Sequence, residues 1–594
     1  MNFLKVFLSC LLAVVVGSIL TFLFWLFLLL GVAGSMEKSV VSVKPHSILK
    51  IDFADVITDS PSADPFAGVD FATLRTTRRL PLLKVLRALE AAKADDRIEG
   101  VYLRMNGMGG VEGTALVEEL RAALLDFKRS GKFVVSYNET YSQGQYYLAT
   151  AADSIFMQPE GAMDWRGLSM NVMFYKGLFD KLDLKAEVFR PTACKYKSAV
   201  EPYIMTAMSE ANRMQMQALA DSMWGTIVEA VSEARGIAPE TLNELADKLS
   251  VTLPEDALQY GFVDGLIYED AMDDVFRNLG VAGGRNGGFS FVTLGEYASQ
   301  VSGDLRNVSS SQIAVVYADG AIVDGEGDYG DVFGNTLARR LEELRTDARV
   351  KAVVLRVNSP GGSALASDVI WRQMELLRDT KPVIVSMGSY AASGGYYISC
   401  PADAIVADRM TLTGSIGVFG MYLNTVDALK NKLGITLDGV KTNTSADMGI
   451  TGALTPAERA SVMRGVDKVY ATFTEHVAEG RNLPLERVLD IAGGRVWTGA
   501  DALGIGLVDA AGGLREAIAV AADKAELRDG NYRITEVLET PDSFMALLSS
   551  LFTEVKARVE LSELDVLMKE YRKVQEAAGQ TGIVMYEPRT FLAE

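Results

Sequence analysis

The sequence of 594 residues is 49% apolar and 23% charged, and its 58 Lys+Arg against 77 Asp+Glu give a net charge of −19. At about 100–200 residues per domain this length predicts several globular domains, and the acidic balance argues against a nucleic-acid binder because no basic surplus would neutralise phosphates. Three cysteines without CxxC spacing argue against a disulfide framework and a zinc module, and two histidines exclude a three-histidine metal site.

The first predicted element is an uncharged stretch from Val6 to Met36. It exceeds the roughly 20 residues needed to cross the hydrocarbon layer and the ~7–15-residue apolar region of a cleaved signal peptide. We therefore predict an uncleaved membrane anchor over residues 1–36, with a buried core helix as the alternative. One lysine precedes the stretch and three follow it within residues 38–50, so charge does not place the bulk of the chain outside.

Two copies of one sequence unit follow the anchor. IEGVYLRMNGMGG at 98–110 matches VKAVVLRVNSPGG at 350–362, and SQGQYYLATAADSIFM at 142–157 matches ASGGYYISCPADAIVA at 392–407. Further on, EDALQYGFVDG matches ADALGIGLVDA. An internal repeat of this kind indicates one structural unit used twice.

Each copy is predicted to have an α/β fold. Apolar β-branched runs such as AVVLRV (352–357) and VIVSM (383–387) are typical of buried strands, and the amphipathic DVIWRQMELLRD (368–379) is typical of a helix between them. This alternation predicts parallel strands joined by right-handed crossovers. The predicted boundaries are a first repeat at 45–282, a linker rich in Gly, Ser and Asn at 283–311, a second repeat at 312–535 and a helical tail at 536–594.

The two copies differ at a predicted strand-to-helix turn. The second copy places Ser393 between small residues in SYAASGGYY, whereas the first has Gln143 at the corresponding position. Small neighbours would let a substrate backbone approach the hydroxyl, and a helix N-terminus stabilises negative charge. Ser393 is therefore a candidate nucleophile, with a helix N-cap as the alternative.

A Pro-Gly-Gly turn in VNSPGGSA (357–364) follows a predicted strand of the second copy. The amide of Gly361 or Gly362, together with the amide of Gly394, would supply the two donors that an oxyanion requires in acyl transfer. The first copy has GMGG instead, without the proline and the following serine. The alternative is an ordinary tight turn.

A serine nucleophile needs a base. His46 lies beside the predicted anchor and His476 lies in the polar helical segment FTEHVAEGR, so neither is favoured. Lysine is the remaining choice, because burial lowers a lysine pKa from ~10.4 toward ~7–8. Lys197 in CKYKSAVEPY has the most apolar setting, whereas Lys195 and Lys441 are less apolar. For any one lysine, a charge on the surface is the alternative.

Five segments together closely resemble one family: AASGGYYIS, VNSPGGS, TLTGSIGVFG, YKSAVEPY and GRVWTGADALGIGLVD. They resemble the long form of the signal peptide peptidase A, or protease IV, family of membrane-anchored serine proteases with a Ser-Lys dyad. The resemblance covers nearly the whole chain and is weakest after residue 535. It implies the fold of Clp protease and the crotonases in both repeats, with Ser393 as nucleophile, Lys197 as general base and Ser415 orienting the lysine amine.

The resemblance also implies an assembly, a substrate and a location. Several protomers, four in the family, would form a bowl in which each dyad is completed between the N-terminal domain of one chain and the C-terminal domain of another. The family degrades signal peptides left in the membrane after secretion, from a single-pass anchor in the cytoplasmic (inner) membrane with the bulk of the chain on the outer, periplasmic side. The implied chemistry needs no metal or cofactor.

Two other functions stay open from the residues alone. A crotonase-type acyl-CoA hydratase or isomerase would use the same oxyanion-hole geometry, but it would need a CoA-binding surface and acidic catalytic groups. Such an enzyme needs neither a membrane anchor nor a serine in the ASGG segment. A non-catalytic membrane scaffold built from an inactive repeat pair fits the first copy, which has Gln143, but not the second.

Overall fold

The computed structural model describes most of the chain beyond the N-terminus. The described residues are 17, 43–62, 68–70, 75–105, 110–283, 288–304, 309–327, 330–450, 452–527, 531–537 and 584–586. The chain divides into two compact units, Met1–Lys44 and Pro45–Glu594, and almost all of the described residues belong to the second. The predicted anchor at 1–36 lies outside the described residues apart from Gly17. Within the described ranges, no helix is long and apolar enough to cross a membrane.

The first repeat alternates strands and helices, as predicted. Its strands are β1 (Ser47–Ile51), β2 (Val56–Thr58), β3 (Val69–Asp70), β4 (Arg75–Thr76), β5 (Arg79–Pro81), β6 (Ile98–Leu103), β7 (Gly110–Val111), β8 (Phe133–Tyr141), β9 (Ser154–Met163), β10 (Lys185–Phe189), β11 (Gly265–Leu266) and β12 (Ser290–Thr293). Its α-helices are α1 (Leu82–Ala94), α2 (Thr114–Lys128), α3 (Gln143–Ala149), α4 (Lys176–Lys181), α5 (Glu201–Ile204), α6 (Glu210–Arg235), α7 (Pro239–Asp247), α8 (Pro254–Gln259), α9 (Met272–Asn278) and α10 (Leu294–Asp304). Short 3₁₀ turns cover Ser198–Val200 and Glu269–Ala271.

The second repeat follows the same order. Its strands are β13 (Gln312–Asp319), β14 (Ile322–Val323), β15 (Val332–Phe333), β16 (Val350–Ser359), β17 (Gly361–Ser363), β18 (Val383–Ala392), β19 (Ala404–Ala407), β20 (Leu412–Gly414), β21 (Gly420–Asn424), β22 (Val496–Thr498), β23 (Ala510–Ala511) and β24 (Arg533–Val537), with β25 (Val584–Tyr586) in the tail. Its α-helices are α11 (Gly334–Thr346), α12 (Ala364–Arg378), α13 (Gly394–Ser399), α14 (Val426–Leu433), α15 (Pro456–Gly480), α16 (Leu485–Ile491), α17 (Gly499–Gly504) and α18 (Leu514–Lys524).

Each repeat is built on a mainly parallel sheet. The first sheet has the order β11-β9-β8-β6-β1-β12, and all of its pairings are parallel. The second has the order β22-β20-β18-β16-β13-β24, with β19 beside β18, and only β22 runs antiparallel to its neighbour. The central strands are apolar and buried, as parallel strands covered by helices on both faces must be. The predicted α/β class is confirmed.

The sequence duplication is also a duplication of contacts. In the first repeat, Asp264 Oδ2 accepts a hydrogen bond from the backbone N–H of Ile155 at 2.7 Å. In the second, Asp509 Oδ2 accepts from the N–H of Ile405 at the same 2.7 Å. The second-to-last residue of each matched segment, EDALQYGFVDG and ADALGIGLVDA, is thus an aspartate that holds an equivalent strand.

The predicted linker at 283–311 needs a correction. It contains β12 and α10, and β12 pairs in parallel with β1, so this segment belongs to the first sheet. The Gly- and Asn-rich stretches only flank a short apolar segment, FVTLGEYASQV, which supplies a strand and a helix. The predicted helices of the tail at 536–594 lie outside the described residues, and the described tail segment Val584–Tyr586 is a strand.

A buried ionic cluster joins the two repeats. Arg356 of β16 is fully buried, and its guanidinium lies 2.7 Å from Asp59 Oδ1 and 2.6 Å from Glu119 Oε1, both in the first repeat. It also donates to Ser386 Oγ of β18 at 2.8 Å. Burial raises the pKa of Asp59 to about 6, although the charge of Arg356 opposes this shift. The cluster connects the first repeat to the central strands of the second sheet.

A second connection brings the ends of two loops together. Strands β10 and β21 pair antiparallel across the repeats, with Phe189 opposite Gly420. The chain that leads to Lys197 leaves β10 at Phe189, and the chain that comes from Ser415 enters β21 at Gly420. Both segments therefore lie at the same end of this strand pair.

Candidate active site

Ser393 lies at the junction of β18 and α13. It is fully buried and has φ 58° and ψ −114°, a strained backbone conformation for a residue other than glycine. Its N–H donates to the carbonyl of Gly414 at 2.9 Å, and Ala392 pairs with Gly414 in the sheet. This register places Ser393 at the end of β20, which Ser415 directly follows.

The glycines after Ser393 are required by packing within the protein. A Cβ on Gly394 would lie 3.1 Å from the amide nitrogen of Gly362, and a Cβ on Gly395 would lie 2.6 Å from the carbonyl oxygen of Ser359. The turn at 359–362 therefore approaches the start of α13 closely. These two glycines therefore make room for this turn, and the expectation that small residues let a substrate backbone approach Ser393 stays a prediction.

Lys197 reaches Ser393 within a single chain. The lysine is fully buried, and its Nζ lies 2.8 Å from Ser393 Oγ, 2.8 Å from Ser415 Oγ and 3.0 Å from the Ser415 carbonyl oxygen. The expectation of a dyad completed between two chains is therefore wrong for this protein. The physical reason is that one chain carries both repeats. Residues 190–198 of the first repeat, the lysine loop, therefore already lie against Ser393 of the second.

Ser415 is placed to direct the lysine amine. It has φ 49°, its N–H donates to the Arg495 carbonyl at 2.7 Å, and its hydroxyl donates to the Gly494 carbonyl at 3.4 Å. A neutral amine has two N–H donors and one lone pair. If the two oxygens of Ser415 accept the two N–H groups of Lys197, the lone pair is left for the hydroxyl proton of Ser393.

The other lysines considered from the sequence are at the surface. Lys195 is exposed, with its Nζ 5.1 Å from the ring centre of Tyr196, and Lys441 is exposed and pairs with Asp447 at 2.8 Å. The Cys194-Lys195 pair therefore does not shift the motif, and Lys197 is the lysine brought to Ser393.

The two histidines have other contacts. His46 Nδ1 lies 2.5 Å from Glu99 Oε1. The ring of His476 stacks on Trp371 with 3.5 Å between ring centres, and burial lowers the pKa of this histidine. The side-chain partner of the Ser393 hydroxyl is thus Lys197 and neither imidazole.

In the first repeat, Gln143 has a structural use. Its side-chain oxygen accepts from the N–H groups of Arg166 and Gly167, both at 2.8 Å, and its amide donates to the Gly167 carbonyl at 2.9 Å. The residue that corresponds to Ser393 therefore holds a loop and presents no nucleophile.

Strand β17 lies in the turn after β16, and another strand pairs with each of its edges. The N–H of Gly361 donates to Ser359 Oγ at 3.2 Å. On one side, β17 pairs with β14. On the other, β25 pairs antiparallel with β17, with Gly361 opposite Tyr586 and Gly362 opposite Met585. The edge beside the glycine pair thus accepts an extended segment.

Several residues around Lys197 carried no signal in the sequence. Arg190 donates to the Lys197 carbonyl at 2.7 Å, and Gln215 of α6 contacts both neighbours of Lys197. The loop that begins at Gly493 reaches the same place from the second repeat. Only the segment GRVWTG hinted at this loop, through the resemblance and without a role. Within the described ranges, no group of three or more His, Cys, Asp or Glu side chains is arranged to hold a metal ion.

Comparison with known protein families identifies both repeats. The model of peptidase family S49 matches residues 126–280 and again residues 375–528. The two matches contain Lys197 and Ser393 respectively.

Relatives that match most of the chain carry protease names. "Protease 4" of Salmonella typhi is 37% identical over 523 residues, which is 86% of this chain and 83% of that protein. "Protease 4" of Haemophilus influenzae is 37% identical over 81% of this chain and 79% of its own, and "Serine protease SPPA, chloroplastic" of Arabidopsis thaliana is 34% identical over 73% and 64%. The solved structure of ClpP1 from Listeria monocytogenes matches 34% of this chain and 92% of its own at 15% identity, with a TM-score of 0.22, a likeness too small to carry a conclusion.

Proposed function

The chain belongs to peptidase family S49 and is a serine protease, and we propose that it is an endopeptidase in which Ser393 and Lys197 form the catalytic dyad. The observation that carries this proposal is the 2.8 Å distance between Ser393 Oγ and Lys197 Nζ in a fully buried setting. A neutral amine at hydrogen-bonding distance is the base that a serine nucleophile needs.

The proposed reaction has two halves. Lys197 takes the proton of Ser393 as Oγ attacks the scissile carbonyl carbon, and the charged lysine then protonates the leaving amine as the C–N bond breaks. In the second half Lys197 takes a proton from water, the water oxygen attacks the ester carbonyl, and Ser393 Oγ leaves with that proton. Ser415 holds the amine toward Ser393 throughout.

The amides of Gly394 and Gly362 are the proposed oxyanion donors. Preorganised N–H groups aimed at a developing oxyanion contribute strongly to acyl transfer. Gly362 N is close to Gly394, whereas the N–H of Gly361 already donates to Ser359 Oγ. Between the two glycines that the sequence left open, we therefore favour Gly362.

The proposed substrate is an extended peptide that pairs with β17. Addition of a strand to a sheet edge is a common mode of peptide recognition, because backbone hydrogen bonds supply affinity and alternate side chains supply specificity. The pairing of Val584–Tyr586 with this edge supports the proposal, since it shows that the edge accepts an antiparallel strand.

Removing the tail is expected to raise peptidase activity. A chain that ends at Val537 lacks β25, so its β17 edge is open to substrate, and kcat/KM for a peptide would rise in proportion to the fraction of chains freed. If the tail leaves the edge open in only a tenth of the full-length chains, the gain is about tenfold.

A chain that ends at Tyr586 is the control, because it keeps the pairing strand and loses only the last residues. Its kcat/KM should equal that of the full chain. An unchanged kcat/KM in the chain that ends at Val537 would show that the tail does not compete with substrate.

The setting of the enzyme is part of the same proposal. We propose that the uncharged stretch Val6–Met36 anchors the enzyme in the cytoplasmic membrane, with the bulk of the chain on the periplasmic side. The proposed substrates are signal peptide remnants, and the proposed assembly is a homo-tetramer. The length of the apolar stretch and the family resemblance support this setting. The hydratase and scaffold alternatives are not favoured by the S49 match.

The test of the proposed function is covalent labelling by a serine-directed acylating probe. We expect labelling of the full-length protein, no labelling of Ser393→Ala and strongly slowed labelling of Lys197→Ala. Intact mass measurement would count one adduct per chain. Labelling that persists in Ser393→Ala would refute the assignment of the nucleophile.

A further inference from the structure

We propose that Gln215 and Gly494 are positioning residues that hold the Lys197 amine in line with Ser393. Gln215 fastens the lysine loop to the second repeat, and Gly494 lets the two approach closely enough. The inference rests on the proposed Ser-Lys chemistry and adds two residues that do not contact the reacting atoms.

The need for such residues follows from how the dyad is assembled. Lys197 belongs to the first repeat and Ser393 to the second, so the distance between them depends on how the lysine loop docks on the other repeat. The loop at 493–496 is the docking surface. Tyr196 N–H donates to the Gly493 carbonyl at 3.0 Å, and Gly494 N–H donates to the Ile416 carbonyl at 2.8 Å.

Gln215 ties both sides of this contact with one buried amide. Its Nε2 lies 3.4 Å from the Tyr196 carbonyl oxygen and 3.4 Å from Ser198 Oγ, on either side of Lys197. Its Oε1 accepts from the N–H of Val496 at 2.9 Å, in the second repeat. Val496 pairs with Gly414, which directly precedes Ser415. The amide therefore connects the residues on both sides of Lys197 to β22, which pairs with β20, the strand that ends directly before Ser415.

Gly494 sets how closely the lysine loop can approach. A Cβ at this position would lie 2.6 Å from Lys197 Cβ and 2.7 Å from its backbone nitrogen. Its φ of +80° also favours glycine. Its carbonyl accepts the hydroxyl proton of Ser415 at 3.4 Å. Any larger residue must push Lys197 away or turn this carbonyl from Ser415.

A small displacement of the base has a large effect on rate. A misplacement of about 1 Å in a reacting constellation can cost on the order of 10²-fold. The proposed substrate edge, Gly361–Ser363, lies on a different element from Gln215 and Gly494. Loss of positioning should therefore lower kcat and leave KM nearly unchanged.

The first test replaces Gln215 by leucine, which has a similar size and makes no hydrogen bond. We expect kcat per acylatable Ser393 to fall about tenfold or more, with KM within about twofold. The control is Gln217→Leu, two residues along the same helix, where the parent side chain is exposed and bonds Asp221. Counting active sites by the acylating probe removes any effect of misfolded protein.

The second test separates positioning from packing. Gln215→Glu keeps the acceptor for the Val496 N–H and loses the amide donor to the lysine loop. Its kcat should therefore lie between that of Gln215→Leu and that of the parent enzyme. The pH below which activity falls on the acid side should also differ from that of the parent. A purely structural role would lower the melting temperature and leave the kcat per site and the pH profile unchanged. Such a result would overturn the proposal.

Gly494→Ala is expected to lower kcat per acylatable Ser393 by more than Gln215→Leu does. Its control is Gly434→Ala, which shares a positive φ of +67° but has no atom within 4 Å of the added Cβ. If the parent shows no Ser393-dependent hydrolysis, the proposed function fails. If the parent is active and Gln215→Leu matches it in kcat per site, only the positioning inference fails.

Discussion

Lys197→Ala is expected to lower kcat for peptide hydrolysis by at least about 10⁴-fold, and Ser393→Ala by a similar factor. The reason is that the nucleophile and its base act as one unit: without the amine the hydroxyl keeps its proton, and without the hydroxyl the amine has nothing to activate. The double variant should therefore lose little more than either single one. Single-turnover and steady-state rates on one fluorogenic peptide measure all three.

Lys195→Ala is the matched control for the base. It removes the same type of side chain two positions earlier, where the amine is exposed, and should leave kcat within about twofold.

In the unmodified enzyme, activity should fall tenfold per pH unit on the acid side, because only the neutral amine accepts a proton. A Lys197→Ala variant that keeps a tenth of the parent kcat would contradict the dyad.

The fold was predictable where pattern and physics agree. Runs such as AVVLRV and VIVSM are long, apolar and β-branched, and they lie in β16 and β18 as expected. The predicted linker at 283–311 instead contains the strand Ser290–Thr293, which is too short to stand out between the glycines and asparagines at the ends of the segment. Edge strands of a few residues depend on their neighbours more than on their own composition.

The sequence predicts candidate site residues but not how the fold brings them together. The sequence singles out Ser393 and Lys197 through their small or apolar neighbours, whereas Ser415 follows only from the family resemblance. Their proximity within one chain follows from how the repeats dock, which local patterns do not encode. Gln215 shows the same limit, because its partners are distant along the chain and a buried glutamine on a helix has no distinctive sequence pattern.

The second large expected effect is on stability, and it concerns the buried ionic cluster that joins the two repeats. Arg356→Met is expected to lower the free energy of unfolding by about 3–5 kcal/mol, because it leaves Asp59 and Glu119 buried without their cation. All three side chains are nearly inaccessible to water, so hydration cannot replace the lost partner. Urea unfolding followed by circular dichroism at pH 8 measures the change.

The duplicated fold supplies the control. In the first repeat, Arg104 occupies the position that Arg356 has in the second. Its guanidinium is also buried, but its carboxylate partners Glu139 and Glu269 are each 53% exposed. Arg104→Met leaves carboxylates that water can solvate, so its cost should be only about 1 kcal/mol. Equal losses in the two variants would mean that side-chain packing, rather than the buried charges, accounts for the effect.

The pH dependence of Arg356→Met gives an independent check on this explanation. Burial already raises the pKa of Asp59 to about 6, and removing Arg356 takes away the charge that opposes this shift. A carboxyl whose pKa is raised on folding contributes stability at low pH that is lost as pH rises through the folded value. The cost of Arg356→Met should therefore be smaller at pH 5 than at pH 8, because protonated Asp59 no longer buries an unpaired charge, while Arg104→Met should cost about the same at both.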